Sequence, residues 1–185
     1  MRAGIPRELI CRAYREAGRI VVAAEFDIKI RSVAVVTIQN QPPGTRLMSL
    51  DKVLERAKAG DEVTDLVERY IMVRLAGPIT EMVRAAYQWE AKQHVVCWRR
   101  WRKRWKWLFT RANDRDIDTA FAIALGWFDR EAESDLDTRL DELWKDVESL
   151  IRRANIWAKI QTLAGELLRV DVMTGTQAIR LIESM

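Results

Sequence analysis

One histidine, His94, stands in 185 residues, and only two cysteines, Cys11 and Cys97, accompany it. A metal centre needing two imidazoles is therefore excluded, and no histidine besides His94 is at hand to activate a cysteine or serine nucleophile. No G-x-S-x-G nucleophile elbow occurs either. Both cysteines lie in apolar-periodic segments, so they read as thiols of a reducing compartment, and a disulfide framework is ruled out. No glycine is followed by lysine, which removes the G-x-x-x-x-G-K-[ST] phosphate loop and with it an ATPase module. The longest uncharged run, Ser32 to Thr45, is fourteen residues broken by Pro42 and Pro43, too short and too polar to cross about 30 Å of hydrocarbon. Arg2, Arg7 and Glu8 open the chain with no apolar block behind them, unlike a secretory signal, so a cytoplasmic protein without a transmembrane segment is expected.

What is present fits one compact domain spanning 1–185, with 49% apolar residues and 31 basic against 27 acidic side chains. The charge is unevenly placed. Trp98 to Trp107 reads W-R-R-W-R-K-R-W-K-W, six bases and four of the eight tryptophans without an acid. Removing those six from a total of +4 leaves the other 175 residues at −2, so basicity belongs to one segment.

Pro6 suits a first helical turn, and Leu9, Ile10, Ala13, Ala17, Ile20, Val21 and Ala24 recur at helical spacing, which predicts a helix over about 6–25. Ser32 to Ile38, dense in β-branched residues before Pro42-Pro43-Gly44, carries the only strong strand signal. Helices are expected over 50–59 and 62–75. Gly77-Pro78 is read as the opening of another, running toward Val96. Ile117, Ala120, Phe121, Ala124 and Leu125 predict a short buried helix. A long one over 134–158 has Leu136, Leu140, Leu143, Trp144, Val147, Leu150 and Ile151 on one side. Two more helical pieces close the chain, the last one opened by a Thr174/Gln177 capping box. The fold class is thus mainly α, with a small β element.

Arg12 to Val22 reads R-A-Y-R-E-A-G-R-I-V-V and resembles the A-Y-H-E-A-G-H helix of the FtsH-type ATP-dependent zinc metalloproteases, with arginines in place of both histidines. Further segments follow in that family's order. Ser32 to Ile38 resembles its strand ending in V-T-I, Leu75 to Met82 its G-R-A-A-E-E helix start, and Asp114 to Ala120 its N-D-I-x-x-A motif. Leu136 to Ser184 resembles the closing helices, including L-A-G-E-L-L and T-G-x-x-A-I-x-L-I. The resemblance implies a helical peptidase-like domain standing alone, extended by a Trp/Arg-rich segment at about 90–110. It assigns Arg15, Arg19 and Asp116 to the three zinc-ligand positions and Glu16 to the general base.

Residues at i and i+4 share a helix face, which is how two imidazoles bind one Zn²⁺ in H-E-x-x-H. Arg15 and Arg19 keep that spacing without the chemistry, since a guanidinium has no acceptor lone pair and stays protonated. Zinc is therefore expected to be lost, no other cofactor is implied, and Glu16 has no metal-bound water to activate. One reading has the arginines take the metal's structural place by pairing with Asp116, and with Glu16 or Glu81. The other leaves them as ordinary exposed arginines.

Three readings hold for Trp98, Arg99, Trp101, Arg102, Trp105 and Trp107. The tryptophans pack on the core beneath a solvated basic face, or they form a protein-binding or self-association surface, or they bind a polyanion, either nucleic acid or an anionic membrane surface. Non-catalytic action through a protein partner or a homo-oligomer is the leading expectation. The alternative is a hydrolase that uses Glu16 and Asp116 with an altered metal site.

Overall fold

The computed structural model describes residues 5–35, 44–50, 52, 63–89, 115–128 and 133–185. Helix α1 (Arg7–Glu25) leads into β1 (Ile30–Ala34) and β2 (Gly44–Leu47), followed by α2 (Val63–Trp89), α3 (Arg115–Trp127), α4 (Glu133–Ile151), α5 (Ala154–Val170), β3 (Val172–Thr174) and α6 (Gly175–Glu183). The described residues are mainly helical with one small antiparallel sheet, ordered β2-β1-β3. Among them no helix is long and apolar enough to cross a membrane.

Helix α1 is the hub. Pro6 sits at its N-cap, where its carbonyl accepts from Leu9 and Ile10 N–H at 3.0 and 3.2 Å. Ala13, Ala17, Ile20, Val21, Val22 and Ala23 are fully buried, because small and branched residues line both faces and let α2 and α5 close on opposite sides. The helix stops where Asp27 turns to φ 60° and Ile28 N–H returns to the Ala23 carbonyl at 2.8 Å, a left-handed cap that aspartate tolerates. That turn feeds β1 into the middle of the sheet, with Val33 buried between Thr45 of β2 and Met173 of β3.

The α4 stripe is buried as the spacing predicts: Leu136, Leu140, Leu143, Trp144, Val147, Leu150 and Ile151 all lie in the core. The capping box of α6 is formed in full, with Gln177 N–H donating to Thr174 Oγ1 and Thr174 N–H to Gln177 Oε1.

Four expectations are corrected. The chain does not break at Gly77-Pro78, since α2 runs through both. Pro78 removes one helical hydrogen bond at a cost of about 3 kcal/mol. Burial of Leu75, Ala76, Ile79, Thr80 and Val83 around it offsets that loss. The predicted 134–158 helix is two helices, broken at Arg152-Arg153, where Arg153 turns to φ −63°, ψ 133° and caps α5. The sheet also has β2 and β3, which are four and three residues long, too short to show an alternating pattern. Finally, Leu125 faces outward, 47% exposed, because α3 packs through Ala120 and Ala124, with Phe121 and Ile123 beside them, instead.

Arg139 of α4 clamps α2. Its Nε donates to Glu68 Oε1 at 2.8 Å and its Nη2 reaches both Glu68 oxygens at 2.6 Å, while Nη1 meets Glu142 at 2.8 Å. The Glu68 hydrogen bonds, then those of Glu142, raise the guanidinium pKa above its ordinary value. Because the Arg139 side chain is 40% exposed, solvent screens the pair. Glu68→Ala is accordingly expected to lower the unfolding free energy by only about 1 kcal/mol in urea titration, and by less in molar salt.

Candidate functional site

Arg15 and Arg19, one helical turn apart, face α2 and α3 where three helices meet. Two glycines allow the approach. A Cβ built on Gly18 would meet Thr80 Oγ1 and lie 2.7 Å from Thr80 Cβ. One built on Gly77 would stand 2.8 Å from Arg19 Nε and 3.0 Å from Arg15 Cγ. Thr80 holds its hydroxyl inward on the Ala76 carbonyl at 2.7 Å. With α1 and α2 backbones this close, the long arginine side chains extend along the junction and their forks reach the far helix.

At that junction stands Asp116, in the first turn of α3, where the helix dipole favours an acid. Arg15 donates to its Oδ2 from Nη2 at 2.7 Å and from Nε at 3.2 Å, and Arg19 Nη2 meets the same oxygen. Arg74 Nη1 lies 3.9 Å from Oδ1. The arginines also have second acceptors. Arg15 Nη1 donates to Glu81 Oε2 at 3.0 Å, Arg19 Nη1 to Glu16 Oε2 at 2.9 Å, and Arg74 Nη2 to the Tyr70 hydroxyl at 3.0 Å. The Arg74 guanidinium also lies 5.3 Å from the Tyr70 ring centroid.

Glu16 and Asp116 are 3% and 6% exposed and Arg19 is 6% exposed, so these charges are out of water. Removing ions from water costs several kcal/mol each, and only close pairing with filled hydrogen bonds offsets that. Three guanidiniums against three carboxylates supply the balance. Exposed, uncommitted arginines are therefore not what α1 carries at these positions.

Glu16 is committed twice over, its Oε2 accepting from Arg19 and from the Thr45 N–H of β2 at 2.6 Å. Zinc does not fit this donor set. Two of the three side chains that meet here offer N–H groups and positive charge, and the third has its carboxylate engaged by them. Among the described residues no group of three or more His, Cys, Asp or Glu side chains is placed to hold a metal ion.

The structure thus brings together Arg15, Arg19, Glu16, Glu81 and Asp116, the whole charge cluster anticipated from the sequence. It adds Arg74, Tyr70 and Thr45, which sequence reasoning missed. Arg74 and Glu81 are seven residues apart, two helical turns on one face, a signal concealed by reading Gly77-Pro78 as a break. Trp98, Arg99, Trp101, Arg102, Trp105 and Trp107 lie outside the described residues, as does His94.

Two other features adjoin α1. Arg84 lies 4.7 Å from the Tyr14 ring centroid and donates to Cys11 Sγ at 3.3 Å, and Tyr14 meets Trp157 of α5 at 6.0 Å between ring centroids. An open cavity of about 630 Å³ lies between the end of α1, β1, α5 and α6, lined by Ile28, Ile30, Ile179 and Ile182 with Lys159 and Arg180. No residue of the charge cluster reaches it. Compared with models of known protein families and with curated proteins, the chain matches none.

Proposed function

We propose that the chain is a non-catalytic relative of the FtsH-type zinc metallopeptidase domain, in which an arginine–carboxylate network stands where a metal would join the helices. One observation carries this reading. Arg15, Arg19 and Asp116, drawn by resemblance from segments about a hundred residues apart, converge on a single carboxylate oxygen. The chemistry present is that of a structural clasp. Guanidiniums cannot generate a hydroxide from bound water, and the glutamate at the base position is held by Arg19 and by an edge strand. Its role is then binding, to a protein partner or to a second copy, in the cytoplasm.

Restoring the imidazoles tests the lineage. Arg15→His with Arg19→His places two imidazoles one turn apart opposite Asp116, and the folded double variant is expected to take up about one chelator-sensitive zinc per chain, against less than about a tenth for the parent. A folded double variant that binds no zinc overturns the family reading. Stoichiometric zinc in the parent chain would instead favour a hydrolase with an altered metal site.

A further inference from the structure

We infer that Asp116 is a latch: it holds α3 against the core, and α3 opens as a unit when the latch is removed while the rest of the fold stays closed. The inference rests on how α3 is attached. Among its described residues the fully buried side chains are Asp116, Ala120 and Ala124, Phe121 and Ile123 pack against the core while partly exposed, and Leu125 and Trp127 are 47% and 40% exposed. The fully buried apolar part is two methyl groups, with Phe121 and Ile123 only partly buried beside them, and the deeply buried charged attachment lies at the N-terminal end, at Asp116. There, arginines from two different helices meet the Asp116 carboxylate. By contrast α5 buries Ile156, Ile160, Leu163, Ala164 and Leu167 and is held along its whole length.

The cations have alternatives. Arg19 keeps Glu16, Arg15 keeps Glu81, and Arg74 keeps the Tyr70 hydroxyl and ring. Opening α3 therefore does not strand a buried charge on α1, which is why the element can have two states. A carboxylate donated by α3 is interchangeable, in chemistry, with a small carboxylate from solution. The latch stands on the ion-pair geometry and holds whatever the ancestry of the chain.

Hydrogen exchange of the full chain, read by mass spectrometry, tests it with Asp116→Ala. Amides of 117–127 are expected to exchange at least about tenfold faster than in the parent, while those of 154–170 stay within about twofold. Acetate, filling the space of the lost side chain between the arginines, is expected to slow α3 exchange again, and chloride at equal ionic strength is not. Unchanged α3 exchange overturns the latch. So does equal acceleration of α3 and α5, or global unfolding, since the network would then belong to one cooperative unit. Equal effects of acetate and chloride would assign the change to the altered helix terminus and overturn it as well.

Discussion

Arg19→Ala is expected to lower the unfolding free energy by about 3–5 kcal/mol, the range for breaking a buried ion pair from one side. Arg19 touches both Glu16 and Asp116. Without it Glu16, whose side chain is 4% exposed, retains the Thr45 N–H but loses its cation, and a carboxylate that deep cannot recover its hydration. Arg15→Ala is the internal control. The Arg15 side chain is 17% exposed, its partner Glu81 is 33% exposed, and its other partner, the buried Asp116, keeps Arg19, so water and the remaining cation compensate part of the loss and about 1–2 kcal/mol is expected. Urea denaturation of both variants decides the matter. A loss below about 0.5 kcal/mol for Arg19→Ala would mean that the network carries no structural weight. The sign does not imply that the network is the most stable solution, because a well-packed apolar replacement of all its members can match it. Its contribution is to fix which helices meet, and at which residues.

Gly18→Ala carries the second largest effect, a loss of about 3 kcal/mol, at the upper end for forcing extra volume into a packed core. Helix propensity alone predicts the opposite sign, since alanine is favoured over glycine by about 1 kcal/mol in a helix interior. Sterics win because the added Cβ would lie 2.7 Å from Thr80 Cβ and closer still to its hydroxyl, which is tied to the Ala76 carbonyl and cannot swing away freely. Pairing the change with Thr80→Gly removes the obstructing atoms and should recover most of the loss. A thermal melt in which Gly18→Ala is as stable as the parent would show that α1 and α2 can slide apart without penalty. The same slide would move Arg15 and Arg19 relative to Asp116, so packing at this glycine and pairing at the network are expected to be non-additive.

What could be read from the residues depended on length and on punctuation. The limits of α1 followed from Pro6 and nineteen residues of steady spacing. The buried stripe of α4 and the cap of α6 were equally legible, since periodicity and a Thr174/Gln177 pair are local signals. The break at Arg152-Arg153 was not, because no glycine or proline marks it and the tertiary packing of α4 on α2 and of α5 on α1 imposes it. Gly77-Pro78 misled in the other direction, as a buried setting overrode a local breaker. β2 and β3 exist through their pairing with β1 and have little pattern of their own. At the site, the resemblance singled out Arg15, Arg19, Glu16 and Asp116, and their opposite charges suggested pairing among them and with Glu81. Thr45 contributes through its backbone N–H, a group every residue but proline possesses, so its side chain gave no sign of the role.

That backbone contact bears on the sheet as well. Among the described residues β2 is the outer strand on its side, and outer strands offer free N–H groups to any extended chain that passes. The Thr45 donor is already spent on Glu16 of α1. A passing strand would find that rung already taken, so a helix side chain fills at this one position of the border the place that a further strand takes in a larger sheet.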